Sequence, residues 1–358
     1  MKSTKKLHEL GQSLWLDNIT RGMVNSGTLK SYINEYSVTG LTSNPTIFDQ
    51  AIRNSSDYDE AIHQGIEKGK TPEEIFFGMA IEDLSRAADL FLSIHTLTNM
   101  VDGWVSLEVS PLLAHDTSRT LAAAKALYAR AGRPNLFIKI PGTREGLPAI
   151  EEAIFSGVPV NVTLLFSSEQ YAAAAEAYLK AVERRIEAGL DPNVTSVASL
   201  FVSRWDVAVA RRAVPQHLHN RLGIAIAGQT LESYESLIAS RRWQRVFNAG
   251  ARAQRLLFAS TGTKDPKAPD TLYVESLAAP FTINTMPEAT LKAFDDHGAI
   301  GSLVPARAYE LLAEFADADI DVGALAAQLQ DEGAASFVNS WNDLIASIAS
   351  KGRGLQAA

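Results

Sequence analysis

Residues 135–166 constrain this chain more than any other stretch, because their pattern indicates a strand, a loop, a helix and a second strand. Residues 136–140 form an apolar run of strand length, which ends at Pro141 because proline does not easily continue a strand. Apolar residues then recur at helical spacing from 147 to 154, and residues 160–164 are rich in β-branched and apolar side chains. The stretch is typical of one strand–helix–strand unit in an α/β protein.

Lys139 is a charged residue in the middle of the first of these strands. A strand covered on both faces should be apolar throughout, since burying an unpaired ammonium costs several kcal/mol. One interpretation is therefore an edge strand, or a lysine that extends its ammonium to water. The other is an amine held in a dry pocket, where it can attack a carbonyl. For a single lysine the first interpretation is the commoner, so the rest of the chain has to decide.

Strand-like and helical segments alternate along the whole chain. The predicted strands are residues 13–17, 38–41, 104–109, 136–140, 160–164, 197–201, 256–260 and 281–286, with residues 272–274 competing for the last place. A long helical insertion follows the second strand and contains a capping box that begins at Thr71. The C-terminal part is also helical, with a packing face of Phe337, Trp341, Leu344 and Ile348. This order favours a single (β/α)8 TIM barrel with additional helices over residues 1–358, rather than a doubly wound sheet.

Composition excludes several classes of protein. With 33 basic and 41 acidic residues, the net charge of -8 argues against general binding to nucleic acid or to acidic membranes. The absence of cysteine excludes disulfides, thiolate metal sites and cysteine nucleophiles. The basic start MKSTKK is followed only by the short run Leu14-Trp15-Leu16, and no run approaches a transmembrane span, so we expect a cytoplasmic protein. Neither a G-x-G-x-x-G motif nor a P-loop supports a nucleotide-binding alternative.

Polar residues end seven of the eight predicted strands. In strand order they are Asp17, Asn44, Glu108, Lys139, Asn161 with Thr163, Ser199 and Ser260. Each of them alone has a structural explanation: Asp17 or Ser260 can cap a helix, and Asn44 can form a turn before proline. Turn chemistry does not explain seven strands that end alike around one lysine. Because a barrel places its active groups at the C-terminal ends of its strands, the pattern predicts an active site there.

The residue types in this predicted site fit Schiff-base chemistry. Lys139 would attack a ketone to give a carbinolamine and then an imine, whose positive charge acts as an electron sink. Loss of water from the carbinolamine needs a proton shuttle, which Glu108 can provide through a water held by Thr163. Breaking a C–C bond β to the imine needs a base for the departing hydroxyl, and Asp17 is the candidate.

Seven motifs along the chain resemble, in order, those of transaldolases. They are LWLDNITRG, TGLTSNPTIF, WVSLEVSP, NLFIKIPGT, VNVTLLFS, ASLFVSRWD and ASTGTKDP. DTLYVE at 270–275 and NTMPEATL at 284–291 make the resemblance closest to the bacterial and plant branch, and it extends from about Gly11 to Phe294. The resemblance implies a cofactor-free (β/α)8 transferase of the pentose phosphate pathway. Such an enzyme moves a dihydroxyacetone unit from sedoheptulose 7-phosphate or fructose 6-phosphate to glyceraldehyde 3-phosphate or erythrose 4-phosphate.

The resemblance also implies roles for individual residues. By motif, Lys139 matches the Schiff-base lysine, Asp17 the acid and base of C–C cleavage, and Glu108 with Thr163 the water shuttle. The residues that match contacts to substrate hydroxyls and to the Schiff-base intermediate are Asn44, Asn161 and Ser199.

The phosphate site is where this chain departs from the family pattern. Arg204 and Ser260 match the family's phosphate-binding residues. Better-known transaldolases have an arginine two residues after that serine, where this chain has Gly262. Lys264 can supply the missing charge, although as a point cation rather than a bidentate fork.

Two other patterns suggest metal sites but lack the necessary geometry. His217-x-His219 lies in a predicted helix, where residues two apart do not share a face. Asp317-x-Asp319-x-Asp321 resembles a calcium loop, but Val322 stands where glycine must turn the chain and Gln328 where the final glutamate belongs. We therefore expect no metal site.

Two rival functions stay open at this point. A fructose 6-phosphate aldolase shares the Schiff-base apparatus but releases free dihydroxyacetone. A sugar-phosphate binding protein on a degenerate barrel would need Lys139 or Asp17 to be inert. The sequence fixes neither acceptor preference nor whether the protein is a monomer or a homodimer.

Overall fold

Eight short apolar segments form parallel strands in the computed structural model, which describes residues 2–301 and 307–357. The strands are β1 Ser13–Asp17, β2 Val38–Thr42, β3 Val105–Glu108, β4 Leu136–Pro141, β5 Val160–Leu165, β6 Ser196–Phe201, β7 Arg255–Ala259 and β8 Ile283–Met286. The helices up to β6 are α1 Ser3–Glu9, α2 Arg21–Asn25, α3 Thr28–Glu35, α4 Pro45–Asn54, α5 Asp59–Glu67, α6 Pro72–Leu97, α7 Thr117–Ala131, α8 Gly146–Phe155 and α9 Ser168–Glu187. The later helices are α10 Ser203–Val209, α11 Leu222–Ala239, α12 Arg241–Asn248, α13 Leu272–Ser276, α14 Glu288–His297, α15 Ala308–Asp317 and α16 Val322–Ala357.

The strands close into a nearly complete barrel in the order β2-β1-β8-β7-β6-β5-β4-β3. The two ends of this order meet where Gly40 bridges to Trp104, and the Leu41 amide donates to the Trp104 carbonyl at 2.9 Å. A Cβ at Gly40 would lie 2.6 Å from Nε1 of Trp15 and 2.7 Å from the Trp104 carbonyl, so only glycine permits this approach. The predicted (β/α)8 barrel is confirmed, and β4 has a neighbour on each side.

Helix signals in the sequence are largely confirmed, with a few corrections. Thr71 begins α6 with both halves of its predicted capping box. Residues 272–274 belong to α13, so their alternative assignment as the eighth strand is wrong. Helix α7 begins at Thr117, because the Asp116 side chain caps it by accepting from the Arg119 amide at 2.9 Å. No helix in the described part of the chain is long and apolar enough to span a bilayer.

An aromatic layer fills the barrel below the predicted site. The Phe137 ring stacks on Trp104 with centroids 4.0 Å apart and lies 6.2 Å from the ring of Trp15. Because side chains alternate along a strand, the next inward positions on β1 and β4 are Asp17 and Lys139. The barrel interior is therefore apolar below these two residues and polar at its C-terminal end.

Helix α16 packs across the C-terminal end of the barrel. The Gln330 amide donates to the carbonyls of Gly142 at 3.1 Å and Leu164 at 2.9 Å, in the loop after β4 and near the end of β5. Further along α16, Trp341 packs edge-on against Phe76 of α6, with centroids 5.2 Å apart. The predicted packing face of α16 is confirmed, since its four residues are all buried.

Candidate active site

A cavity of about 410 Å³ opens at the C-terminal ends of the barrel strands. Seven of the ten predicted site residues line it: Asp17, Asn44, Lys139, Ser199, Arg204, Ser260 and Lys264. The other three, Glu108, Asn161 and Thr163, are buried in the strands around it. A larger cavity of about 510 Å³, bordered by Arg221, Glu275 and Leu311, shares no residue with this site. The strand-end rule thus brings the predicted residues to one place.

Lys139 lies on β4, between β3 and β5, and only 5% of its surface is exposed. Its Nζ is 3.3 Å from Oε2 of Glu108 and donates to the Ser43 carbonyl at 3.2 Å. The interpretations of β4 as an edge strand, and of Lys139 as a lysine that reaches water, are therefore wrong. Lys139 is an amine at the floor of a cavity, paired with a single carboxyl group.

Glu108 is also only 5% exposed, and burial raises the pKa of its carboxyl group. The positive charge of Lys139 opposes this rise in pKa, and the nearby Asp17 carboxylate adds to it. The Lys139 ammonium lies within ion-pair distance of Glu108 but is not aligned for a hydrogen bond. No other described residue forms a hydrogen bond with either carboxyl oxygen of Glu108. The hydroxyl of Thr163, fully buried on β5, likewise bonds to no described protein group. Both groups are thus available to a third molecule.

Asp17 ends β1 at the cavity wall, where it is partly exposed. Its Oδ1 accepts a hydrogen bond from the Thr42 hydroxyl at 2.8 Å. Burial raises the pKa of Asp17, while the charge of Lys139, the Thr42 hydrogen bond and the charge of Lys264 all oppose that rise. Asp17 does not cap a helix, since the Thr20 side chain caps α2. Two carboxyl groups whose pKa is raised by burial therefore act electrostatically on one amine, an arrangement suited to acid–base chemistry.

Asn161 is held rigidly by hydrogen bonds at both ends of its amide. Its Oδ1 accepts from the Ser199 hydroxyl at 2.7 Å, and its Nδ2 donates to Oγ of Ser106 at 3.1 Å. Asn44 has the structural role that its turn pattern suggested, because its Oδ1 caps α4 by accepting from the Ile47 amide at 3.1 Å. Substrate contacts by Asn44, Asn161 and Ser199 stay predictions.

The predicted phosphate residues lie together on the loops after β6 and β7. The Arg204 guanidinium lies over the rings of Phe201, at 5.2 Å, and Phe337, at 5.8 Å. Burial lowers the pKa of Arg204, and no described carboxylate forms an ion pair with it. Lys264 is exposed at the rim, and the Ser260 hydroxyl lies 2.8 Å from that of Ser203. A half-buried cation without a carboxylate partner is suited to an anionic ligand.

The two metal-like patterns have other roles in the structure. His217 lies in a 3-10 turn, Gln216–Leu218, rather than the expected helix, and its Nε2 is 2.7 Å from Oε2 of Glu314. Asp321 accepts a hydrogen bond from the Ala324 amide at 2.9 Å, in the first turn of α16. Across residues 2–301 and 307–357, no three histidine or acidic side chains are grouped to hold a metal.

Several residues that line the cavity were not predicted as site residues, among them Thr42, Thr285 and Phe337. Thr285 lies near the end of β8, the one strand for which no polar end was assigned, so the strand-end rule can find it. Thr42 is the last residue of β2, two positions before Asn44, and alternation places it inward. Phe337 carries no such signal, since only the packing of α16 brings it to the cavity.

Comparison with known proteins agrees with these geometric features. Residues 14–348 match the family described as Transaldolase/Fructose-6-phosphate aldolase. A transaldolase of Frankia alni is 42% identical over 355 residues, which cover 96% of each chain. A transaldolase of Thermobifida fusca is 43% identical over 358 residues, covering 96% of this chain and 97% of the relative. Transaldolase 1 of Streptomyces avermitilis is 42% identical over 365 residues, covering 99% of this chain and 97% of the relative.

Proposed function

We propose, because the chain belongs to the transaldolase/fructose-6-phosphate aldolase family, that it is a transaldolase of the cytoplasmic pentose phosphate pathway. It transfers a dihydroxyacetone unit from sedoheptulose 7-phosphate or fructose 6-phosphate to glyceraldehyde 3-phosphate or erythrose 4-phosphate. The observation that carries this proposal is the buried Lys139, 3.3 Å from Glu108 at the floor of a cavity that also holds Asp17 and two cations.

The first step joins Lys139 to the substrate. Its uncharged amine adds to the C2 ketone to give a carbinolamine, and the new hydroxyl leaves as water while the nitrogen lone pair forms the iminium. Glu108 protonates that leaving hydroxyl through a water held by Thr163. Burial supports this role, because it raises the pKa of Glu108 and so favours a carboxyl group that carries a proton to donate.

The second step breaks the C3–C4 bond. Asp17 takes the proton of the C4 hydroxyl, the C3–C4 electron pair moves toward the iminium, and the products are an enamine on Lys139 and a free aldose phosphate. The acceptor then runs this step in reverse, with Asp17 returning the proton to the new hydroxyl. Water finally hydrolyses the imine. In this proposal Asn161, whose amide is fixed by Ser106 and Ser199, holds the intermediate.

Arg204, Ser260 and Lys264 hold the phosphate of the departing and arriving aldose in this proposal. Arg204 supports it most strongly, since it is half-buried without a carboxylate partner among the described residues. Lys264 takes the part of the arginine that Gly262 replaces. It lines the same cavity as Asp17, and its positive charge opposes the rise in the pKa of Asp17.

Acceptor dependence separates a transaldolase from a fructose 6-phosphate aldolase. We expect fructose 6-phosphate to turn over quickly only when erythrose 4-phosphate is present, because the enamine stays on Lys139 until an acceptor arrives. Free dihydroxyacetone and sedoheptulose 7-phosphate are measured side by side. Rapid release of dihydroxyacetone without acceptor would assign the protein to the aldolases, and no turnover at all would favour the binding-protein alternative.

Arg204→Ala and Lys264→Ala test the anion site. Each should raise KM for the phosphorylated substrates by about 10- to 100-fold, the effect of losing one charge-assisted hydrogen bond. Borohydride trapping of unphosphorylated dihydroxyacetone on Lys139 should change little, because that fragment has no phosphate. Lys125→Ala, at an exposed position of α7, is the matched control for lost charge. An unchanged KM in Lys264→Ala would show that this lysine does not replace the arginine.

A further inference from the structure

Two threonine hydroxyls lie in a row beside the Asp17 carboxylate. In the barrel, β2 and β8 are the two neighbours of β1, and they carry Thr42 and Thr285 respectively. The Thr42 hydroxyl is 2.8 Å from Oδ1 of Asp17 and 2.7 Å from the hydroxyl of Thr285. Both threonines line the cavity, and each is only 2% exposed.

The number of available hydrogens fixes the direction of this row. Each hydroxyl has one hydrogen to donate and lone pairs to accept. Among the described residues, the Thr285 hydroxyl has no acceptor other than Thr42. Because Thr42 donates its single hydrogen to Asp17, it can only accept from Thr285, and the bonds run from Thr285 through Thr42 to Oδ1. No described residue donates to Oδ2 of Asp17.

We propose that Thr42 and Thr285 are positioning residues for Asp17, which hold Oδ1 so that Oδ2 faces the hydroxyl proton of the substrate. This inference rests on the proposed function of Asp17. In cleavage, Oδ2 takes the C4 hydroxyl proton as the C3–C4 electron pair moves into the iminium. In the addition step the same oxygen returns that proton. Strand β1 is also held by its pairing with β2 and β8 and by the packing of Trp15 against Phe137.

The Thr42 hydrogen bond has a second effect, on the charge of Asp17. A donor to a carboxylate favours its ionised form, and this bond opposes the rise in pKa that burial causes. Without it, the pKa of Asp17 should rise further. Since Asp17 must be ionised to accept the proton in cleavage, the acidic limb of the kcat–pH profile should then move to higher pH.

Valine and serine variants of the full-length chain test this inference, because valine keeps the shape of threonine without the hydroxyl and serine keeps the hydroxyl. Thr42→Val should lower kcat for transfer by about 10- to 100-fold and move the acidic limb of its pH profile upward. Its KM for fructose 6-phosphate and its trapping of dihydroxyacetone on Lys139 should stay within about twofold. Thr42→Ser should recover most of the lost kcat. Thr285→Val should act in the same direction by about 3- to 10-fold, since it acts through Thr42.

The results that would overturn the inference are distinct from those that would overturn the proposed function. A Thr42→Val enzyme with the wild-type kcat and pH profile would overturn it, as would a Thr42→Ser enzyme no better than the valine variant. An equal loss of dihydroxyacetone trapping would show a structural role instead, and would also overturn it. Failure of the wild-type enzyme to form an adduct on Lys139 would contradict the proposed function. Release of free dihydroxyacetone by the wild type would replace transfer by aldol cleavage but leave the role of the two threonines intact.

Discussion

Lys139→Arg is expected to abolish both turnover and borohydride trapping, the largest effect of any single substitution in this chain. A guanidinium stays charged at every accessible pH and cannot form the imine, whereas its size and charge preserve much of the contact with Glu108. Turnover should fall by about 10⁴-fold or more, toward the uncatalysed rate. The measurement is the mass of peptides from enzyme treated with fructose 6-phosphate and borohydride.

Lys125→Arg is the matched control for this experiment, because it makes the same change at an exposed lysine of α7. It should keep full activity, and in both the wild type and this control the adduct should map to the peptide that contains Lys139. An adduct on another lysine, or substantial turnover by Lys139→Arg, would contradict the Schiff-base mechanism.

The barrel could be predicted because strands buried on both faces and helices buried on one face leave different apolar patterns in the sequence. The segments that became β4 and β5 are near-continuous apolar runs, while helices such as α6 carry a periodic apolar stripe and a cap. The predicted ends of the strands were less accurate. The eighth strand was expected to begin at Phe281 but begins at Ile283, since Phe281 has φ of +61° and is 73% exposed. Phenylalanine favours strands, so the sequence gives no sign of this left-handed turn.

The gathering of the predicted residues at one cavity follows from alternation, but the full lining of this candidate site could not be predicted. Asp17, Glu108 and Lys139 stand out because a polar residue at an inward strand position is costly without a partner or a function. Thr285 was not predicted as a site residue because two segments competed for the eighth strand and no polar end was assigned to it. Phe337 was not predicted as a site residue for a different reason. Its packing face was evident, but its place over Arg204 depends on how α16 crosses the barrel, which is set by tertiary contacts such as those of Gln330.

Asp17→Asn and Glu108→Gln should fail at different steps, although both replace a carboxyl group of the cavity by an amide of similar size. In the proposed mechanism Glu108 serves imine formation, so Glu108→Gln should form any adduct slowly with either fructose 6-phosphate or dihydroxyacetone. Asp17 is proposed to serve cleavage, so Asp17→Asn should form the imine with fructose 6-phosphate and then stall. General acid–base catalysis is worth about 10²- to 10⁴-fold, and we expect losses of kcat in that range for both.

The mass of the trapped species distinguishes the two roles, and each variant is the control for the other. Without acceptor, the wild type should yield a three-carbon adduct on Lys139 after borohydride treatment, because cleavage precedes trapping. Asp17→Asn should instead yield a six-carbon phosphorylated adduct at a near-normal rate of formation, since the Lys139–Glu108 pair that makes the imine is intact. Three-carbon adducts in a slow Asp17→Asn enzyme would show that another residue takes the hydroxyl proton. Rapid imine formation by Glu108→Gln would show that the water leaves without that carboxyl group.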